Sequence, residues 1–280
     1  MSDLTQEESA ALGVELLPLT VRFDNLDLRE GIDISRSEFF QRLRSSSSLP
    51  KTSQIPPEGY RDCFLRLLKN PNDEILCICG SSKISGCYQS ALIARDALGI
   101  EDAEKRIRIV DSLIAISGEA LLVRMAAQQR RFVSSAAELE AWVNELRDHQ
   151  RTYGAAGNLK YLVMGGRLSP LVAKVGSTLN IIPMLRFTGG EILQAGIVRG
   201  EKRMIPWYAE KLAKHQPRLD CPLTIAGADC PEKAERTACK LQRLAEEKGI
   251  PLPPVSVMGV GAVIGTHVGP DLISVSWIEK

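Results

Sequence analysis

Two short apolar runs constrain the fold of this chain more than any other feature of its sequence. Residues 75–79 read Ile-Leu-Cys-Ile-Cys, and residues 107–110 read Ile-Arg-Ile-Val. Runs of this length and composition are typical of strands buried inside a sheet. Between them, the sequence predicts a helix over residues 90–98, which Gly99 can end. This strand–helix–strand order predicts a mainly parallel sheet wrapped by helices.

The second half of the chain carries a hairpin signal. Two strand-like segments, residues 179–187 and 191–198, flank Thr188-Gly189-Gly190, and the two glycines allow a tight turn between antiparallel strands. We therefore expect a mixed sheet in this half. A stretch rich in glycine and alanine, residues 154–158, interrupts the pattern between the halves. The sequence predicts an α/β protein of two α/β domains, residues 1–153 and residues 154–280.

Composition and charge argue against several classes of protein. The chain has 35 basic and 34 acidic side chains, a net charge of +1, so no overall field favours nucleic acid or an anionic membrane as a partner. No apolar run is long enough for a spanning helix, so we expect no stable membrane insertion. The first ten residues are polar and acidic, unlike a secretory signal, so we expect a cytoplasmic protein.

The cysteines do not suggest a scaffold or a metal centre. There are seven of them, an odd number without regular spacing, which argues against a disulfide framework. Cys77 and Cys79 lack the second pair of ligands that zinc requires. We therefore expect no metal and no cofactor.

A polar loop follows the first apolar run and opens a helix. It reads Gly80-Ser81-Ser82-Lys83-Ile84-Ser85-Gly86. Backbone N–H groups and hydroxyls at such a position can hold a carboxylate or a phosphate. The alternative is an ordinary helix cap in which Ser85 only satisfies backbone donors.

Two further segments offer polar groups at turns. Lys51-Thr52-Ser53-Gln54 follows a proline and offers two hydroxyls and an amide to a ligand. The alternative is a turn that satisfies its own backbone. His267 lies between glycines after the apolar pair Val263-Ile264, predicted to be a strand, where the imidazole could meet an anion or act as a base. A structural histidine is the alternative. Arg167 in a Gly-Gly-Arg turn before a predicted helix, and Arg199 in a basic cluster, could simply belong to solvated surfaces.

Together these segments resemble the DegV family of bacterial lipid-binding proteins over nearly the whole chain. The matching stretches are residues 18–23 (PLTVRF), 29–35 (REGIDIS), 51–54 (KTSQ), 81–86 (SSKISG), 88–91 (YQSA), 110–112 (VDS), 165–167 (GGR) and 264–267 (IGTH). The resemblance implies a two-domain α/β protein that encloses one long-chain fatty acid between its domains.

The resemblance also implies roles for individual residues. Thr52, Ser85 and His267 would bind the fatty acid carboxylate. Arg167 and Arg199 would face an ATP-binding subunit of fatty acid kinase, which converts the presented carboxylate to an acyl phosphate for phospholipid synthesis. The chain itself would be a non-catalytic lipid-binding protein, and we expect a monomer.

One departure from the family concerns the first strand. Members usually begin with a strand that ends in an Asp-Ser pair, ahead of the segment matched by Ser2-Asp3-Leu4, whereas the printed sequence starts at Met1. We therefore expect either that the start codon is misassigned or that this strand is missing from the first sheet, which would leave a strand edge unpaired.

Two other classes of function stay open. A serine-dependent esterase or acyl transferase would use Ser85 as nucleophile and His267 as base, but such a triad needs a positioned carboxylate and an oxyanion hole. Asp111 is the nearest candidate acid, and no GxSxG elbow is present. A plain interaction module would bind no lipid and react with no serine probe.

Overall fold

The computed structural model describes residues 1–168 and 180–280 and confirms the α/β class. The helices of these residues are α1 (Gln6–Leu12), α2 (Arg36–Ser45), α3 (Pro57–Leu67), α4 (Cys87–Asp96), α5 (Ala103–Arg106), α6 (Ser117–Gln129), α7 (Ala136–Asp148), α8 (Lys160–Met164), α9 (Met204–Lys214), α10 (Pro231–Glu247) and α11 (Ala262–Val268). The strands are β1 (Thr20–Phe23), β2 (Leu26–Arg29), β3 (Lys51–Ser53), β4 (Ile75–Cys79), β5 (Ile107–Asp111), β6 (Gln150–Ala155), β7 (Ile181–Thr188), β8 (Glu191–Arg199), β9 (Leu223–Gly227), β10 (Val255–Gly259) and β11 (Ile273–Ile278).

The two apolar runs that dominate the sequence form the parallel pair β4 and β5. Ile75 lies opposite Ile107, and Cys79 lies opposite Asp111. Helices α3 and α4 pack on one face through a cluster that includes Tyr60, and α6 and α7 pack on the other. Because helices cover both faces, each strand can be apolar on both sides, as the runs predicted.

A small antiparallel sheet, of order β2-β1-β3, was not predicted. Pairing in β1 begins only at Thr20, shortly after Pro18, which has no N–H to donate. β1 is the central strand, and it pairs with β3 through Val21 and Thr52. Thr52 is therefore held in a strand, and the alternative of a self-satisfied turn is wrong.

The second half forms the expected mixed sheet, of order β10-β9-β11-β6-β7-β8. β9 and β10 are parallel and the other neighbours are antiparallel. The predicted hairpin is present, with Gly189 and Gly190 both at positive φ in its turn. Residue 179, where the first hairpin strand was predicted to begin, lies outside the described residues, as does the helix predicted to follow Arg167.

The domain boundary predicted after residue 153 falls inside β6. Gly154 pairs with Ser274 on one side and Leu185 on the other, so the glycine-rich stretch begins within the mixed sheet. Glycine at this position keeps extended backbone, and an added Cβ would make only ordinary contact with Leu272 at 3.4 Å. The division into two domains stays a prediction.

A cavity of about 680 Å³ runs along β4. Its walls include residues 14–17, α3 and α6, and within the described residues β4 is hydrogen-bonded to β5 alone. The other edge of β4 therefore has no strand partner among the described residues.

Buried carboxyl groups lie near the start of the chain. Burial raises the pKa of Asp3 to about 8 and the pKa of Glu119 to about 7, although the Met1 ammonium nitrogen lies 4.0 Å from Glu119 and lowers both values. Glu119 Oε2 has no hydrogen-bond partner among the described residues. These carboxyls are therefore held protonated at pH values where exposed ones are ionised.

Two classes of feature are absent from the described part of the chain. None of its helices is both long enough and apolar enough to cross a bilayer. No group of three or more His, Cys, Asp or Glu side chains in residues 1–168 and 180–280 is arranged to hold a metal ion.

Candidate functional site

A cavity of about 130 Å³ brings distant parts of the sequence together. Thr52, Ser85, Arg167 and His267 all line it. The apolar part of its wall is formed by Leu19, Ala115, Ile116, Leu162, Phe187, Ile192, Val263, Ile264 and Val268. The three residues predicted to bind a carboxylate therefore converge, and Arg167 lies with them, whereas Arg199 does not line the cavity.

His267 lies in the last turn of α11, so the prediction that it follows an apolar strand is wrong. Residues 263–264 belong to the same helix and pack into the core, which is why the run is apolar. The Nε2 atom of His267 lies 2.9 Å from Thr52 Oγ1, a hydrogen bond between residues 215 positions apart. Either atom can be the donor, since the tautomer sets the role of the ring nitrogen.

The other ring nitrogen of His267 is enclosed. Nδ1 is buried and has no hydrogen-bond partner within the described residues. It faces Gly165, where an added Cβ would lie only 2.4 Å from it. Glycine at this position lets α8 approach the imidazole closely.

The imidazole is neutral at physiological pH. Burial, and then the positive charge of Arg167, lower the pKa of His267 from 6.5 to about 4. His267 can therefore donate or accept a hydrogen bond in the cavity, but it brings no charge.

Ser85 is placed by the loop that leaves β4. Its Oγ accepts a 3.3 Å hydrogen bond from the N–H of Cys87, so part of the predicted capping role is present. The hydroxyl proton is still available to donate. The neighbouring Gly86 lies against Gln54, whose Nε2 donates to Ser90 Oγ at 2.8 Å, and this contact fastens the β3 segment to the loop.

Arg167 is held by backbone carbonyls at the end of α8. Its Nε donates to the carbonyl of Ile84 at 3.1 Å, and its Nη1 donates to the carbonyl of Gly165 at 2.5 Å. Gly166, at φ +71°, provides the turn that directs the side chain back towards the cavity. Partial burial lowers the pKa of the guanidinium. Arg199 is exposed at the end of β8, opposite Ile181.

The arrangement does not match a hydrolase triad. Within the described residues, Ser85 Oγ makes no hydrogen bond to His267, whose Nε2 is engaged by Thr52. The carboxylate of Asp111 accepts from the backbone of Ser82 and Leu113 and does not orient the imidazole. The geometry suits binding of a small anionic group rather than activation of a nucleophile.

Sequence reasoning missed the contribution of the β7–β8 hairpin. Phe187 and Ile192 form part of the cavity wall, and Ser81 Oγ donates to the carbonyl of Gly190 at 2.7 Å. No local signal in the sequence indicates that the hairpin lies against the Ser81 loop, since the contact is made between residues 109 positions apart.

Comparisons with known proteins show similarity over the whole length of the chain. A family profile described as "Uncharacterised protein, DegV family" matches residues 1–280. A DegV domain-containing protein of Caldanaerobacter subterraneus subsp. tengcongensis is 32% identical over 280 residues, covering 100% of this chain and 96% of the relative.

Solved structures of similar proteins share the fold. A DegV family protein from Thermus thermophilus, described as binding fatty acid, has a TM-score of 0.85 at 26% identity and covers 100% of this chain and 96% of its own. A DegV family protein from Ruminococcus gnavus, refined with vaccenic acid, has a TM-score of 0.85 at 25% identity, covering 98% and 96%.

Proposed function

Because the chain belongs to the DegV family, we propose that it binds a long-chain fatty acid and holds the carboxylate among Thr52, Ser85 and His267. The observation that carries the proposal is the 2.9 Å contact between Thr52 and His267, in an apolar-walled cavity that Ser85 also lines. The fatty acid bound by the Ruminococcus gnavus relative supports the same ligand class.

The acyl tail would supply most of the affinity. A sixteen-carbon acid has about fourteen CH₂ groups, and burial at about 0.8 kcal/mol each contributes about 11 kcal/mol before the costs of binding. The hydroxyls and the imidazole add less than this. Their role is to fix which end of the ligand lies beside Thr52.

The tail requires the cavity to widen. Ligand sites usually measure about 300–1,000 Å³, and 130 Å³ holds only the head group and the first carbons. One apolar part of the cavity wall is formed by Leu162, Phe187 and Ile192. We expect the acyl chain to extend along this part of the wall. We infer that these side chains move apart when the ligand binds, with the tail lying between the two predicted domains.

We further propose that the bound carboxylate is presented to an ATP-binding fatty acid kinase subunit. A carboxylate oxygen would attack the γ-phosphorus of ATP on that partner, ADP would leave, and the acyl phosphate would serve phospholipid synthesis. The exposed Arg199, together with Arg167, would face the partner. In this scheme the chain is a cytoplasmic, monomeric lipid carrier with no catalysis of its own.

Lipid extraction from the purified protein tests the proposal. Intact-mass measurement of the native protein, followed by denaturing extraction, is expected to release one acyl chain per protein. Delipidated protein should then bind palmitate or oleate, and Ser85→Ala combined with His267→Ala should weaken that binding. Protein that arrives empty and binds neither acid would refute the proposal.

A covalent serine probe distinguishes a lipid-binding protein from the alternative, an esterase or acyl transferase. A lipid-binding protein should leave Ser85 unlabelled, because no base is hydrogen-bonded to its hydroxyl among the described residues. Labelling that Ser85→Ala abolishes, while Ser82→Ala leaves it intact, would favour an esterase or acyl transferase instead.

A further inference from the structure

We propose that Glu30 is a positioning residue for the head-group site (Thr52, Ser85 and His267), and that its carboxyl shares a proton with Asp3 at the start of α11. Neither acid lines the smaller cavity, so both act through the helix rather than on the ligand. This inference rests on the proposed function, because it concerns how His267 is held in place to meet a carboxylate.

The carboxyl of Glu30 lies against the first turn of α11. A Cβ at Gly261, the residue before the helix, would lie 1.7 Å from Glu30 Oε1, so only glycine leaves room for the carboxyl. Gly261 has no side chain to cap the helix, and the backbone N–H groups of Ala262 and Val263 interact with Glu30 instead. The first N–H groups of a helix lack partners within it, so Glu30 takes the place of a local cap.

Asp3 brings a second carboxyl to the same place. The same Gly261 Cβ would lie 2.9 Å from Asp3 Oδ1, so the two acids converge on one point. Asp3 Oδ1, Asp3 Oδ2 and Glu30 Oε1 are buried without a hydrogen-bond partner among the described residues. Two ionised carboxylates this close would repel each other, whereas one proton between them supplies the missing hydrogen bond. A carboxyl–carboxylate pair therefore satisfies these oxygens best.

The charged groups around the pair do not remove the need for a proton. The Met1 ammonium and the Arg36 guanidinium lower the pKa of Asp3, and Glu119 raises it. Arg36 Nη2 donates its hydrogen bond to the backbone carbonyl of Asp3 rather than to the carboxyl. Burial, and then Glu30, outweigh the two cations and raise the pKa of Asp3 to about 8. The pair therefore retains a proton at pH 7.

The helix transmits this contact to the head-group site. α11 has seven residues, about two turns, and His267 lies in the last of them. A shift of the first turn therefore reaches the imidazole and changes the 2.9 Å contact between His267 Nε2 and Thr52 Oγ1. When both acids ionise, their repulsion loosens the start of the helix and fewer molecules hold His267 in place, which lowers the apparent affinity for a fatty acid.

The first test measures palmitate affinity against pH. In isothermal titration, delipidated wild-type protein should bind palmitate about tenfold more weakly at pH 9.5 than at pH 7, the effect of one pKa unit. Asp3→Asn, whose amide can donate to Glu30 at every pH, should show little change over this range. Glu119→Gln is the control, since Glu119 lies against Gly80 rather than Gly261, and it should keep the wild-type fall.

Variants of Glu30 separate positioning from a purely structural role. Glu30→Ala removes the cap and should weaken palmitate binding at pH 7 by about twofold to thirtyfold. Glu30→Gln keeps an acceptor for the helix and should retain most of the affinity at pH 7 while losing the fall above pH 8, because a single carboxyl remains. A structural role alone would leave the pH profile of Glu30→Gln like that of wild type. A fall that persists in Asp3→Asn would assign the titration to another group, such as the Met1 ammonium, and would overturn the inference.

A second measurement uses wild-type protein without ligand. The imidazole nitrogens of His267 are followed by ¹⁵N NMR from pH 6 to pH 9.5. The imidazole is neutral throughout, because its pKa is about 4, so a change in the Nε2 shift near pH 8 reports a change in the contact with Thr52. An unchanged shift would overturn the coupling. Protein that shows the change but binds no palmitate would instead overturn the proposed function.

Discussion

Gly165 offers the sharpest test of the head-group geometry, because replacing it by alanine displaces His267 without removing a polar group. A Cβ at this position would lie 2.4 Å from His267 Nδ1, and the imidazole must retreat about 1 Å to reach the 3.4 Å of ordinary contact. A movement of that size is enough to disrupt the 2.9 Å contact between His267 Nε2 and Thr52 Oγ1.

The energetic effects have opposite signs and can be weighed. Losing the hydrogen bond costs about 0.5–1.5 kcal/mol, and overpacking costs about 1–3 kcal/mol. Gly165 has ordinary helical angles, φ −75° and ψ −6°, so alanine recovers about 0.4–1 kcal/mol through the unfolded chain. We expect Gly165→Ala to lower the free energy of unfolding by about 0.5–4 kcal/mol and palmitate affinity by about tenfold.

Isothermal titration of delipidated protein and urea denaturation measure both quantities. Gly154→Ala is the matched control, since it makes the same change in a buried strand where the new Cβ meets only ordinary contacts. If Gly165→Ala binds palmitate as tightly as wild type does, the imidazole does not help to hold the carboxylate and the reasoning fails.

Three further outcomes are expected. The pKa of His267 is about 4 in the folded protein against an ordinary value of 6.5, so protonation favours the unfolded chain. The free energy of unfolding should therefore fall as the pH is lowered from 6.5 to 4. In urea denaturation at a series of pH values, His267→Gln should reduce this fall. Burial raises the pKa of Glu119 to about 7, so ionisation between pH 4.5 and pH 7 favours the unfolded chain and lowers the free energy of unfolding. Glu119→Gln removes this loss and should stabilise the protein more at pH 8 than at pH 4.5 in the same assay. Ile192→Trp fills the apolar end of the small cavity, so its preference in a competition binding assay should shift from palmitate towards shorter acids. An unchanged preference would show that the acyl tail does not lie beside Ile192.

Much of the fold could be predicted, because it depends on patterns within single elements. The apolar runs became β4 and β5, and the paired glycines at 189–190 became the hairpin turn. Helix α6 begins only at Ser117. Leu113 and Ile116 have positive φ, which a propensity argument does not expect of apolar side chains.

The site was predicted less completely, because its geometry comes from tertiary contacts. Family resemblance supplied Thr52, Ser85 and His267, and residue spacing alone would not have brought them together. The orientation of Arg167 depends on carbonyls of Ile84 and Gly165, which no pattern in its own turn reveals. Glycine-rich sequence at 154–158 predicted a domain boundary, and Gly154 itself lies within β6, which pairs on both sides.

The hydrogen bond from Ser81 to Gly190 has a kinetic consequence. It fastens the tip of the hairpin to the loop that carries Ser85, while Phe187 and Ile192 on either side of the tip form part of the wall of the smaller cavity. If a fatty acid binds behind this wall as proposed, its release would require the hydrogen bond to open. Its residence time would then follow the opening rate of the hairpin rather than its solubility in water, and a protein that displaced the hairpin tip on docking would accelerate release.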